Sequence, residues 1–337
     1  MRGWRHAWMI CALVTMTGPA WAARQHGPAT GHKADVARDK ALVGFQRDLV
    51  SVLAPRADAL PLLGAALLAR PLPNQPDHSS FHTLIDRAAK AQDAGPAIDW
   101  VRLADCDARA DACPNGDALA ALQAKAPDNA AVWLLKLGDD QRQLHGDAVR
   151  QDLARAAGAK LYDDYAGISL KALASTVTIL PPPAATLDPK STGGAAGLQV
   201  MMVFGSARAQ PQPNLPATAK LCDDAADDAT LKSDCLKLGK LLEWGSSPLA
   251  RSLGLHLRET LADDPAQQDD ARQARRNLTW QVQNFAALSA RAQTDPAVAQ
   301  HLLALARNGG NEMSLMLAAL RNAGIATEAP ADWKPGS

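Results

Sequence analysis

The chain has 337 residues, of which 47% are hydrophobic and 21% are charged, and its 35 basic side chains balance 35 acidic ones. This apolar content excludes a wholly disordered chain, and the balanced charge excludes nucleic acid or an anionic membrane surface as an electrostatic partner. The length is enough for one large domain or for two ordinary ones.

The first 22 residues have the three parts of a secretory signal peptide. Arg2 and Arg5 precede an apolar run over residues 9–16, and a small-residue cleavage signal follows at residues 20–22. The run is shorter than the roughly 18 to 20 apolar residues that a membrane anchor needs. We therefore expect cleavage near Ala22, export to the periplasm or the cell exterior, and a mature soluble chain with no transmembrane segment.

Four cysteines follow the predicted signal peptide, in two pairs that are close in sequence. Cys106 precedes Cys113, and Cys222 precedes Cys235. Neither pair has the short spacing typical of a zinc site, and an exported protein meets an oxidising compartment. Of the possible pairings, the two local ones are favoured by proximity, so the sequence predicts two disulfides.

Helical periodicity covers most of the mature chain. Residues 23–38 lack apolar periodicity and predict a flexible leader. From Leu42 onward, apolar residues recur at helical spacing, and several successive stripes predict an N-terminal helical-hairpin domain over residues 39–175.

The most regular part of this domain, residues 127–158, predicts two helices joined by a tight turn. Asn129 can cap the first helix, His145 and Gly146 break it, and Asp147 can cap the second. The order of small and large residues resembles that of a tetratricopeptide repeat, through Pro127, Ala130, Trp133, Leu137, Gly146, Asp147 and Ala156. Lys136 stands where the repeat usually has leucine, and no second clean copy follows. The resemblance implies a helical scaffold that binds proteins or peptides, and it carries over no functional residue.

A change of composition marks residues 176–216, which are rich in proline and glycine and predict a connection. Two apolar runs lie inside it, residues 177–180 and 198–204. A short buried helix is the favoured structure for the second run, because its surroundings are helical. A two-stranded hairpin formed by both runs is the alternative.

Helical periodicity returns over residues 217–325 and predicts a C-terminal helical domain. Ser247 and Pro248 favour a helix start, as does Asp295, and Gly324 favours the end of the last helix. Residues 326–337 form a tail whose Trp333 either packs back on the domain or stays loose. The predicted fold is all-α, an irregular antiparallel array of helical hairpins in two bundles.

Acidic side chains are distributed unevenly between the two residue types. The chain has four glutamates, so 31 of its 35 acidic residues are aspartates. Aspartate is the better helix cap and glutamate the better helix-interior residue. The aspartate pairs are therefore predicted to be caps and solvated turns, at residues 139–140, 163–164, 263–264 and 269–270.

One group of residues has a spacing that a metal site can use. His78, His82 and Asp86 are four residues apart, so a helix over them would line all three along one side. No glutamate stands between the histidines to act as a zincin-type base. The alternative is an exposed polar face, with Ser79 or Ser80 capping a helix that starts after His78.

The sequence has no motif for acyl transfer or nucleotide binding, so no cofactor is expected. The leading hypothesis is a non-enzymatic exported scaffold that binds a protein or peptide partner in the cell envelope. The alternative is a cell-wall glycan hydrolase or lyase, which needs a carboxyl group in an apolar pocket. Its candidates are Glu243, beside Trp244, and then Glu259. Glu243 is also interpretable as the end of a helix before Gly245.

Overall fold

A computed structural model describes residues 29–105, 115–225 and 227–334, with side chains from residue 34 onward. The predicted signal peptide and the predicted pair of Cys106 and Cys113 lie outside these residues. The described chain is all-α, which confirms the predicted fold class. It forms fifteen α-helices, and its β-type pairing is a single isolated bridge between Asn129 and Leu161.

The helices are numbered in chain order. Their bounds are α1 (Ala29–Leu53), α2 (Ala59–Ala69), α3 (Phe81–Ala89), α4 (Pro96–Arg102), α5 (Gly116–Lys125), α6 (Ala130–Arg142), α7 (Gly146–Ala157), α8 (Ala166–Val177), α9 (Gly194–Ala207), α10 (Leu215–Asp223), α11 (Ala229–Leu242), α12 (Pro248–Leu261), α13 (Pro265–Arg291), α14 (Pro296–Asn308) and α15 (Glu312–Asn322). Short 3-10 turns cover Asp77–Ser79 and Ala184–Thr186.

Side-chain caps fix many of the helix starts. Asn129 accepts a hydrogen bond from the Ala131 N–H at 3.1 Å, and Asp295 and Ser247 cap α14 and α12. Each cap satisfies an N–H group that has no partner inside the helix. The start of α7 differs from the prediction, because the helix already begins at Gly146 and Asp147 lies in its first turn.

Short connections make consecutive helices antiparallel neighbours. The pairs α6 and α7, α11 and α12, and α12 and α13 each pack together along the chain. Other contacts join helices far apart in sequence, since α8 packs on α2 and on α14. The array is therefore closed by long-range contacts and is not a simple chain of hairpins.

The described residues form two hydrophobic cores, and neither core is confined to one of the predicted domains, residues 39–175 and 217–325. One core combines Leu49 and Leu63 near the start of the chain with Leu302 and Leu320 near its end. The other is built mainly from α4 to α7 and α10 to α12. Each core therefore combines helices from both predicted domains, and α8 and α9 both contact α2 and α14.

The predicted connection contains α9, whose Leu198 and Val203 are buried. The buried helix favoured from the sequence is thus correct, and the two-stranded hairpin is wrong, because Val177 ends α8. Gly193 lets the start of α9 approach the residues after α13. A Cβ atom at Gly193 would lie 2.2 Å from the Gln293 carbonyl oxygen.

The predicted flexible leader, residues 23–38, overlaps α1, because this helix begins at Ala29. Residues 29–38 contain alanine, lysine and arginine, which favour a helix without needing an apolar stripe. Arg38 adds side-chain contacts to Asp35 at 2.7 Å and to Asp188 at 3.8 Å.

Two structural features bear on the predicted export. Cys222 and Cys235 are fully buried and form the predicted disulfide between α10 and α11, with their Cα atoms 5.7 Å apart. Within the described residues, no helix combines the length and the apolar character needed to cross a membrane. Export itself stays a prediction.

Candidate functional site

A cluster of buried and half-buried polar side chains lies where the start of α8 meets the turn before α12 and the start of α15. Ser246 links these three segments. Its N–H donates to the Tyr162 carbonyl at 3.2 Å, its hydroxyl donates to Asp164 Oδ1 at 3.0 Å, and its carbonyl accepts from the Met313 N–H at 3.0 Å. We call Tyr162, Asp163, Asp164, Ser246 and Glu312 the junction cluster.

Asn129 fixes the same loop from the side of α6. Its side-chain oxygen accepts from the Asp163 N–H at 2.9 Å, and its side-chain nitrogen donates to the Asp163 carbonyl at 2.7 Å. The loop then turns at Tyr165, whose φ of 55° is in the left-handed region. The ring of Tyr165 packs edge-on against Trp100, with 5.5 Å between the ring centres.

Glycine permits a close backbone contact beside the cluster. A Cβ atom at Gly167 would lie 1.8 Å from the carbonyl oxygen of Gly310. Gly310 itself has a φ of +108°, which other residues rarely adopt. The contact brings the start of α8 close to the start of α15. Ser246 can therefore bind Asp164, before α8, and Met313, in α15, at the same time.

Burial perturbs the acidic groups of the junction cluster. It raises the pKa of Glu312 to about 7, with Asp164 acting in the same direction and Arg208 in the opposite one. Burial also raises the pKa of Asp163 and that of the Tyr162 hydroxyl. Perturbed carboxyl groups of this kind mark functional sites as well as structural networks.

Three large apolar side chains that are close in sequence to the junction cluster are exposed. Leu161, Trp244 and Leu249 are 48%, 76% and 53% exposed. All three lie within three residues of the hydrogen bond between Ser246 and Tyr162. Nine large apolar side chains are exposed in the described chain, so a third of them belong to this place, which we call the apolar rim.

A second pair of buried carboxyl groups lies between α6 and α7. Burial, together with the neighbouring Asp140, raises the pKa of Asp152 to about 6. The pKa of Asp140 is lowered, because hydrogen bonds from Lys136 and other neighbours outweigh its burial. Lys136 forms an ion pair with Asp140, which gives a physical reason for a lysine where a tetratricopeptide repeat usually has leucine.

Two of the predicted solvated aspartate pairs are therefore corrected. Asp140 and Asp164 are only 4% and 3% exposed. The prediction was partly right for the second pair, since Asp164 accepts from the Ala166 N–H at 3.3 Å at the start of α8. Asp264 caps α13 as predicted. Local sequence identifies a cap but not whether another helix covers it.

The residues of the predicted metal site do not share one helix face. His78 lies in the 3-10 turn before α3, and Ser80 caps α3, as in the alternative interpretation. His82 Nδ1 contacts Asp105 at 2.8 Å, whereas Asp86 binds Lys90 at 2.7 Å. Among the described residues, no group of three or more potential ligands is arranged to hold a metal ion.

The two glutamates of the hydrolase alternative are held by arginines. Glu243 follows the last residue of α11 and binds Arg258 at 2.7 Å. Glu259 binds Arg275 at 2.8 Å and Arg272 at 3.3 Å. A shallow pocket of about 200 Å³ lies elsewhere, between α1 and α9, and neither glutamate lines it.

The junction cluster was not predicted as a site. Its members come from three separate parts of the sequence, and Glu312 carries no motif. The one available signal was the scarcity of glutamate together with the two glycines before Asn311, which precedes Glu312.

Comparisons with models of protein families, with curated proteins and with solved structures found no match. The described residues define an all-α protein with a polar junction between the start of α8, the turn before α12 and the start of α15.

Proposed function

We propose that this protein is an exported, non-enzymatic helical scaffold that binds a protein or peptide partner in the cell envelope. The observation that carries the proposal is the 76% exposure of Trp244 within the apolar rim. Tryptophan is enriched among the residues that contribute most to protein interfaces, and grouped exposed apolar side chains mark interaction sites.

The surroundings of the apolar rim support this role. The junction cluster fixes the backbone on both sides of the rim through the hydrogen bonds of Ser246, so a partner would meet a preorganised surface. The likeness of α6 and α7 to a tetratricopeptide repeat agrees with a scaffold. We propose an apolar side-chain surface of another envelope protein as the occupant of the rim.

Photo-crosslinking in cells tests the proposal. We expect a benzoylphenylalanine at position 244 to give a covalent adduct of defined mass after illumination. The same group at position 144 is the control, because Leu144 is 90% exposed but lies at the turn between α6 and α7. The absence of an adduct at 244, or equal adducts at both positions, would contradict a partner at the apolar rim.

The hydrolase alternative has a separate test. If the protein cleaves cell-wall glycan through Glu243, the change Glu243→Gln should abolish the release of soluble glycan fragments. We expect no such release from either form, because the ion pair with Arg258 occupies the carboxylate. Fragment release by the wild type that Glu243→Gln removes would contradict the scaffold and favour an enzyme.

A further inference from the structure

The tail after α15 lies along α13 and is held there by its backbone. We call residues 326–333 the C-terminal strap. Three side chains of α13 bind its peptide groups. These bonds join Trp280 Nε1 to the Ala326 carbonyl at 2.8 Å, Gln281 Nε2 to the Thr327 carbonyl at 2.8 Å, and the Ala329 N–H to Asn277 Oδ1 at 3.1 Å.

Arg276 binds the second half of the strap with its guanidinium group. All of its partners there are main-chain carbonyl oxygens, those of Ala329 at 3.4 Å, Pro330, Ala331 at 3.2 Å and Trp333 at 2.7 Å. The guanidinium has five N–H donors in a fixed plane and no acceptor. It can therefore satisfy several carbonyl groups of one short segment at once. That segment ends in a turn, in which the Trp333 N–H donates to the Pro330 carbonyl at 3.0 Å.

The strap also packs on the protein through two of its side chains, those of Trp333 and Ala329. The ring of Trp333 packs edge-on against Trp280, with 5.5 Å between the ring centres, and Arg276 lies over it at 5.6 Å. Ala329 is buried, with 9% exposure. Glu328, which precedes Ala329, and Asp332, which precedes Trp333, are exposed.

The binding residues of α13 form one face of the helix. Positions 276, 277, 280 and 281 repeat with a spacing of four, which places them side by side along the helix. Because this face binds main-chain groups, it does not depend on most side chains of the bound segment. Its selectivity comes from the small residue at Ala329 and from the ring of Trp333.

We propose that this face of α13 is a peptide-binding surface, occupied in this chain by the strap and available to a partner segment that has the pattern Ala-Pro-x-x-Trp and adopts the same turn. The strap shows that pattern at residues 329–333. The surface is separate from the apolar rim and does not depend on the function proposed for Trp244.

The strap is suited to local opening. Within its eight residues only Ala329 is buried, and a segment with few buried contacts opens at a lower free energy than the core. While the strap is bound, the apparent affinity for a partner segment is reduced by the small fraction of open protein. Weakening the strap should raise that affinity.

A titration with a labelled peptide of residues 325–334 tests the proposal on the full chain. We expect Trp333→Ala to bind this peptide at least tenfold more tightly than the wild type does. Adding Arg276→Ala to that variant should remove the binding, and a peptide with alanine in place of its tryptophan should not bind. Asp332→Ala, which changes an exposed neighbour, is the matched control and should behave as the wild type.

Hydrogen exchange supplies a second measurement on the unmodified chain. Excess peptide should speed exchange of the Ala329 N–H, because the displaced strap loses its bond to Asn277. Equal peptide binding by the wild type and Trp333→Ala, or binding that survives Arg276→Ala, would overturn the proposal. So would loss of helical circular dichroism in Trp333→Ala, which would make the strap part of the core. The proposal would also be overturned if the protein formed a dimer in which each copy binds the strap of the other. The occupant of the surface would then be a second copy of this chain and not a partner segment.

Discussion

Replacing Trp100 with alanine should lower the free energy of unfolding by about 3 to 5 kcal/mol. Trp100 is fully buried, its ring packs against Tyr165, and its Nε1 donates to the Pro211 carbonyl at 3.2 Å. The change removes a large apolar side chain and leaves that carbonyl without its donor. Urea unfolding followed by far-ultraviolet circular dichroism measures the loss.

Trp244→Ala is the matched control for this measurement. The same side chain is removed, but from a position that is 76% exposed, so we expect a change of less than about 0.5 kcal/mol. Comparable losses for the two variants would contradict the description of Trp100 as a core residue and Trp244 as a surface residue. A stable Trp244→Ala protein would also make that position suitable for tests of partner binding.

Stability should fall as the pH rises from about 4.5 to about 7. The pKa of Glu312 is raised to about 7 in the folded protein, so the folded state keeps a proton that the unfolded chain has already lost. The stabilising contribution is complete below the unfolded pKa and is lost as the pH passes the folded one. We expect Glu312 to account for about 2 to 3 kcal/mol across this range. Thermal or urea unfolding at a series of pH values measures it.

Glu312→Gln should flatten the upper part of this profile, because glutamine stays neutral at every pH. The raised pKa of Asp152, about 6, gives a similar fall at lower pH that the variant keeps. Glu328→Gln removes an exposed carboxyl group and is the control. A wild-type stability that rises between pH 5 and 7, or a Glu312→Gln profile identical to the wild type, would contradict the buried state of Glu312.

Trp100 and Glu312 both contribute to the surroundings of one loop, residues 162–165. Trp100 packs beneath the loop that Asn129 holds, and Glu312 approaches the same loop from α15. Loss of either set of contacts should loosen the backbone that presents the apolar rim. Crosslinking at position 244 is therefore best compared at a pH where the folded protein is stable.

Local sequence predicted individual helices well where the deciding interactions are local. Asn129 and Asp295 each cap the helix that directly follows them, and these bonds span only two or three residues. The helix of residues 198–204 was also predicted, although its proline- and glycine-rich surroundings suggested a connection. Those glycines instead allow α9 to approach its neighbour closely.

The sequence by itself determined the all-α class, several helix starts and the pairing of Cys222 with Cys235, because apolar periodicity, caps and a short cysteine spacing act over a few residues. Only the tertiary structure decided that Asp164 is buried, since Ser246, which binds it, is 82 residues away. It also decided that the first and last helices share a core and that the strap lies on α13. These contacts join segments that are far apart in the chain, and the local sequence of one segment does not indicate which other segment packs on it. The burial of a side chain such as that of Asp164 depends on that packing.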